Sequence, residues 1–217
     1  SIWEMDGGTA SGKSYAGKLG AGWEIETVAD FNGDGKQDIL AVANDGSVSV
    51  WEMDGGTASE KSYAGKLGAG WEIKSVKDFT GDGKADILTR SADDVVSVWE
   101  MDGGTATAKT YTGKLAAGSD IEQIADFNGD GSADLLVSDN ESYVSIWEMD
   151  AGGTSEKAFA GRLIDGWQPG LAADFDGNGS ADIQLENTET GQVSIWEMDN
   201  GSVAEIGLTG NLWSDLV

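Results

Sequence analysis

The string Trp-Glu-Met-Asp begins at Trp3, Trp51, Trp99, Trp147 and Trp196, and the string Asp-Phe begins at Asp30, Asp78, Asp126 and Asp174. The first set is spaced 48, 48, 48 and 49 residues apart, the second 48 throughout. A chain that repeats at this interval is built from one supersecondary unit stacked on copies of itself, because a unit so short cannot bury its apolar face alone.

Inside one unit the pattern is that of strands. Trp71 to Asp78, Asp86 to Arg90, Val95 to Met101 and Lys109 to Leu115 are rich in β-branched and aromatic residues, and Gly, Asp, Asn or Ser clusters bound each one. We label these strands A, B, C and D. No window carries apolar residues at helical spacing, so the expected class is all-β. Four strands in about 40–50 residues describe a β-propeller blade, a twisted antiparallel sheet packed on both faces. Strand C fits, since Val48 and Val50 point one way while Trp51 and Met53 point the other.

The chain is expected to form a single domain, with an orphan C–D hairpin at 1–22 and repeats at about 23–70, 71–118, 119–166 and 167–217. Five units of 48 residues would need 23 more than the 217 present, about one A–B pair. Residues Leu212 to Val217 could supply a further strand A, giving a five-bladed ring closed by both termini. The alternative is an open ring of four and a half blades completed by another chain, since unpaired edge strands invite pairing.

Each unit has a nine-residue acidic loop between strands A and B: DFNGDGKQD (30–38), DFTGDGKAD (78–86), DFNGDGSAD (126–134) and DFDGNGSAD (174–182). Oxygen-bearing side chains fall at loop positions one, three, five and nine, and glycine at four and six. Calcium takes about six to eight oxygens, and such a loop can wrap it with a backbone carbonyl at position seven. The expected ligands are Asp30, Asn32, Asp34, the Lys36 carbonyl and Asp38. In the second loop they are Asp78, Thr80, Asp82, the Lys84 carbonyl and Asp86. The third offers Asp126, Asn128, Asp130, the Ser132 carbonyl and Asp134, and the fourth Asp174, Asp176, Asn178, the Ser180 carbonyl and Asp182. The helical EF-hand does not fit, because its position-twelve glutamate is replaced by Ala41, Thr89, Val137 and Leu185. The competing reading is a solvated acidic turn without metal. About four structural calcium ions are expected, which would bring the formal charge from −26 to −18.

The acidic loop followed by Ile39-Leu40, Ile87-Leu88 or Leu135-Leu136 resembles the FG-GAP/VCBS-type repeats. Those repeats look like the calcium-binding blades of integrin α-subunit propellers and of bacterial and fungal propeller lectins. The resemblance implies a calcium-loaded extracellular β-propeller, non-catalytic and used for adhesion or glycan binding.

Composition narrows the function further. With 39 acidic against 13 basic residues, the chain lacks the basic face that nucleic acid requires. It has no cysteine and no histidine, which removes disulfides, thiolate and imidazole catalysis, and nearly every transition-metal site. No run of about 18 apolar residues suggests membrane insertion. Paired glycosidase carboxylates are disfavoured because every acidic group recurs from unit to unit, whereas catalysis needs one asymmetric constellation.

Tryptophans 3, 51, 99, 147 and 196 are expected between blades. Trp23, Trp71 and Trp167, each opening strand A after a glycine turn, are the candidate ligand-binding residues, able to stack on a pyranose; Ser119-Asp120 replaces that motif in the third unit. Glu4 with Lys18, Glu52 with Lys66, Glu100 with Lys114 and Glu148 with Arg162 are expected as cross-strand ion pairs. The protein is thus expected to be no enzyme but a bacterial, extracellular or cell-surface module that binds glycans or extracellular protein. A structural subunit that self-associates through the half-blade is the alternative.

Overall fold

The computed structural model describes residues 1–164 and 166–211, and every regular element among them is a strand. β1 (Ile2–Asp6) and β2 (Thr9–Ser14) form a two-stranded hairpin. Four antiparallel meanders follow. The first contains β3 (Trp23–Ala29), β4 (Asp38–Ala43), β5 (Ser47–Asp54) and β6 (Thr57–Lys66); the second β7 (Trp71–Lys77), β8 (Asp86–Ser91), β9 (Val95–Asp102) and β10 (Thr105–Lys114). The third contains β11 (Asp120–Ala125), β12 (Asp134–Ser138), β13 (Tyr143–Asp150) and β14 (Gly153–Arg162); the fourth β15 (Trp167–Ala173), β16 (Asp182–Asn187), β17 (Gln192–Asp199) and β18 (Ser202–Asn211). Each four-stranded sheet lies within one sequence repeat, and the fold is all-β, with the blades of a five-bladed β-propeller, one of them represented by its C–D hairpin. The expected strand A over Leu212 to Val217 lies outside the described residues.

Two compact units are distinguished, residues 1–78 with 82–111, and residues 79–81 with 112–217. The core of the first is formed where its two full blades face each other, from Phe31, Leu40, Val48, Val50, Ile87, Trp99 and Met101. That of the second uses the corresponding positions two repeats later: Phe127, Leu136, Val144, Ile146, Ile183, Trp196 and Met198. Each large side chain among these contributes roughly 1.5–3 kcal/mol by burial. Strand C fills both faces of its sheet as its sequence requires, with Val50 fully buried and Trp51 only 8% exposed.

Strand D begins four residues before its expected start. β9 and β10 are joined by the two residues Gly103 and Gly104, so the Thr-Ala-Thr-Ala stretch pairs as strand and forms no loop. The equivalent two-residue turns at Ala151-Gly152 and Asn200-Gly201 have positive φ at both positions, the type I′ geometry that matches the strand twist.

This tight turn overturns the expected ion pairs. It brings Glu4 opposite Gly12, Glu52 opposite Glu60 and Glu148 opposite Glu156, while Glu100 accepts a 2.5 Å hydrogen bond from Thr110 Oγ1. Lys66 lies opposite Ser47 and pairs with Asp45 at 3.0 Å, and Arg162 Nε donates to the Glu141 carbonyl at 3.2 Å. The residue facing the glutamate is eight positions on, because the chain reverses within two residues.

Blade meets blade at one recurrent contact inside each unit. A Cβ built on strand-D Gly65 would lie 3.0 Å from the Trp99 ring of the next blade, and on Gly113 or Gly161 within 2.6 or 2.5 Å of Trp147 or Trp196. The indoles of strand C, 5–8% exposed in the four full blades, close onto bare backbone, as expected of an inter-blade position. Gly113→Ala is expected to destabilise the protein by about 1–3 kcal/mol through overpacking. Gly207→Ala, where nothing lies within 4 Å, should cost far less, and chemical denaturation of the two variants checks the difference.

Candidate functional site

The four acidic loops share one hydrogen-bond scheme. Asp30 Oδ1 accepts from the N–H groups of Gly33 (2.7 Å) and Asp34 (3.2 Å), and its Oδ2 from Gly35 (2.8 Å). Asp126 and Asp174 repeat this with Gly129, Asp130 and Gly131, and with Gly177, Asn178 and Gly179; Asp78 accepts from Gly83 at 2.8 Å. At position three, Asn32, Asn128 and Asp176 accept from the amide two residues on, and at position five Asp34, Asp82, Asp130 and Asn178 do the same. The loop therefore coils around its own side-chain oxygens. Such coiling demands positive φ at position six, where Gly35, Gly83, Gly131 and Gly179 have φ between 81° and 96°.

The position-nine carboxylates do something the loop spacing does not announce. Asp38 is fully buried, and accepts from Phe31 N at 3.0 Å and from Met53 N on strand C at 2.8 Å. Asp134 bonds Phe127 N and Met149 N, and Asp182 bonds Phe175 N and Met198 N, while Asp86 bonds Met101 N. Asp38, Asp134 and Asp182 each tie the start of their loop to the strand that carries the buried tryptophan.

Electrostatically these loops are short of positive charge. Burial pushes the Asp134 carboxyl up to about 7, against the pull of the Met149 and Phe127 amides, and Asp130 and Asp126 raise it further. Asp38 is raised by burial and, to a lesser degree, by Asp30 and Asp34. Asp174 shows the opposite balance: burial pushes it up, but the N–H groups of Gly177, Gly179 and Asn178 hold it below the usual carboxylate value. Lysines offset the first two loops, Lys36 lying 3.3 Å from Asp34 and 3.1 Å from Asp54, and Lys84 2.8 Å from Asp102.

Among the described residues, Asp174, Asp176 and Asp182 are the group of three acidic side chains whose oxygens come within 4.8 Å of one another. The other loops place an amide or hydroxyl at position three, Asn32, Thr80 or Asn128. The donor set is oxygen only and suits a hard cation, and each carboxylate keeps lone pairs beyond those given to amides.

The strand-A tryptophans line a second recurrent feature. Trp23 lies with Leu19, Gly20, Ser49, Trp51 and Lys61 around a cavity of about 220 Å³. Trp71 lies with Lys66, Leu67, Gly68, Ser97, Trp99 and Lys109 around one of about 260 Å³. In the fourth repeat Trp167 lies with Arg162, Leu163, Ile164, Leu185, Ser194, Trp196 and Ile206 around about 310 Å³. A turn positions each indole: Trp23 N donates to Gly20 O, Trp71 N to Gly68 O and Trp167 N to Ile164 O, at 3.0–3.3 Å. The serine hydroxyls are held by strand D, Ser49 Oγ donating to Ser62 O and Ser97 Oγ to Thr110 O, both at 2.8 Å.

Sequence reasoning missed the lysines here. Lys61 Nζ sits 3.2 Å from the centre of the Trp51 ring and Lys109 Nζ 3.1 Å from that of Trp99, and Lys157 covers Trp147 in the same way. The signal was available, because these lysines recur 48 residues apart, but their partner is the tryptophan directly across the hairpin and not a glutamate.

Comparison with known proteins gives three findings. Residues 21–51 match the FG-GAP repeat, and residues 126–184 match the FG-GAP-like repeat. No curated protein matches the chain. Among solved structures, a chain of the Photorhabdus luminescens Tc holotoxin pore carrying the mutation TccC3-D651A is similar at 20% identity with a TM-score of 0.52, over 73% of this chain and 8% of that one. At that identity the likeness concerns the fold alone, and this chain spans about 8% of the length of the larger one.

The buried carboxylate makes a prediction that needs no ligand. Asp134→Ala would leave Phe127 N and Met149 N without acceptors, at about 1–3 kcal/mol each. We expect a fall in unfolding free energy of about 2–6 kcal/mol in urea titrations. Glu122→Ala, on an exposed edge, serves as the comparison.

Proposed function

We propose that this chain, an FG-GAP-type β-propeller repeat protein, is a non-catalytic extracellular module that binds carbohydrate through pockets repeated from blade to blade, with calcium pinning its A–B loops. The observation that carries the reading is the recurrence of one cavity, bounded by a strand-A indole, a strand-C indole and a strand-C serine, in the first, second and fourth repeats. Cavities of 220–310 Å³ fall at or below the lower end of the ~300–1,000 Å³ typical of larger ligands, so they suit a single ring. Several weak sites on one rigid body gain strength on a surface that repeats its ligand, as glycans and cell surfaces do.

Glycosidase chemistry would need two carboxylates flanking the bound sugar, and among the described residues no Asp or Glu lines these cavities. Calcium would be held by the loop oxygens named above, its charge offsetting carboxylates that burial now raises. Its role is structural, since each loop is also fastened to strand C.

A glycan array probed with the calcium-loaded protein tests the carbohydrate reading. Binding to at least one glycan class, lost in a Trp23→Ala/Trp71→Ala/Trp167→Ala variant that melts like the parent, is expected; no binding to any glycan contradicts it. Calcium is tested by chelation. Saturation at about 100 times the dissociation constant adds about 2.7 kcal/mol per site, so EDTA should lower the melting temperature and calcium restore it. An unchanged melting curve contradicts the calcium staple.

A second reading, a subunit of a surface assembly joined through the incomplete blade, is favoured by one observation. Trp3 and Met5 are 59% and 60% exposed, whereas their counterparts in the full blades are 8% exposed or less. Light scattering over a range of concentrations separates the readings. Concentration-dependent association abolished by Trp3→Ser supports assembly, and a monomer throughout opposes it.

A further inference from the structure

The cavities differ from the rest of this protein in charge. Acidic residues outnumber basic ones three to one over the chain, yet among the described residues the three Trp-lined cavities contain Lys61, Lys66, Lys109 and Arg162 and no carboxylate. Resting on the carbohydrate reading above, we propose that the cavities of the first and second repeats select anionic saccharides, with the carboxylate or sulfate of a pyranose on Lys61 or Lys109 and its apolar face on Trp23 or Trp71.

Among the described residues, Lys61 and Lys109 have no carboxylate partner, whereas Lys66, in the same cavity as Lys109, is already committed to Asp45 at 3.0 Å. Each free ammonium sits on an indole face at 3.1–3.2 Å, which supplies part of its charge compensation but accepts none of its N–H groups in conventional hydrogen bonds. Burial lowers the Lys109 ammonium's hold on its proton, with no neighbouring carboxylate to offset it. An anionic oxygen entering the cavity would satisfy both needs. The glycines of the preceding blade fix the height of this cation: a Cβ on Gly65 would meet Lys109 Nζ and the Trp99 ring, both at 3.0 Å. A bare backbone there leaves room for the lysine to lie flat on the indole.

The other repeats supply internal controls. In the third, Lys157 covers Trp147, but Ser119 stands where the other repeats have the strand-A tryptophan, so the cation is present without its stacking surface. In the fourth, Ile206 lies opposite Trp196 where the others have lysine, and Arg162 is turned to the Glu141 carbonyl and the Tyr143 ring. That cavity is the apolar member of the set and suits a neutral ring. One chain thus carries two sites with a lysine over the strand-C indole and one without.

The test compares the full chain on two surfaces of equal density, one bearing glucuronic acid and one bearing glucose, at about 50 and 200 mM salt. The expected result is at least tenfold tighter binding to glucuronate at the lower salt, a difference that shrinks at the higher. Lys61→Met with Lys109→Met, which keeps an apolar stem on each indole, should abolish the preference while leaving the melting temperature unchanged. Lys157→Met should leave the preference intact. Equal binding to both surfaces by the parent chain overturns the charge selection but not the carbohydrate reading. A preference that survives the double substitution overturns the assignment to these lysines. Binding to neither surface, nor to any glycan on an array, overturns both.

Discussion

The carboxylate at loop position nine is the constraint on which the rest of each blade depends. Asp38, fully buried, holds Phe31 N and Met53 N at once, and Asp134 and Asp182 hold the equivalent amides two and three repeats on. One end of this bond pair fixes the phenylalanine, which fills the core as Phe31 and Phe127 and is half-exposed as Phe175, and the other fixes strand C beside the buried tryptophan. A charged group is tolerated there because two amide donors face it, and burial nonetheless raises the proton affinity of Asp38 and Asp134. A dication shared with the other loop oxygens would remove that penalty. The same residues that make the loop acidic, and that would hold the proposed calcium, therefore also hold the blade's register.

From that register the cavities follow. Strand C places its indole against the bare glycine of the blade before it, the turn ahead of strand A swings a second indole alongside, and the lysine opposite in strand D lies over the first. Each of these contacts is made by residues that recur with the repeat, so a site formed once recurs in later blades wherever the sequence permits. Replacement of Trp71 by Ser119, or of Lys61 by Ile206, tunes a site without disturbing the sheet that carries it.

Much of this architecture was legible in the sequence because it is periodic. The 48-residue interval gave the blades, the alternation along Val48 to Met53 gave a strand buried on both faces, and the glycine spacing gave the coiled acidic loops. What escaped was set by geometry across the hairpin. Counting 14 residues from Glu52 to Lys66 ignored that the chain turns at Gly55-Gly56, so the true cross-strand partner of Glu52 is Glu60, and Lys61 goes to Trp51. The second function of Asp38 was hidden for a similar reason, since its partner Met53 lies 15 residues away on a different strand. Trp3 and Met5 are exposed in a sheet that, among the described residues, consists of β1 and β2.

The central claim is that saccharide enters the cavities beside the strand-A tryptophans. Its most direct measurement is to follow the indole Nε1–H resonances of the labelled protein during titration with a saccharide it binds, each assigned by Trp→Phe substitution. The account predicts that Trp23 and Trp71 move with saturation, joined by Trp167 for a neutral sugar, while Trp3 stays in place. Saturable binding that leaves all three strand-A indoles unmoved would contradict it.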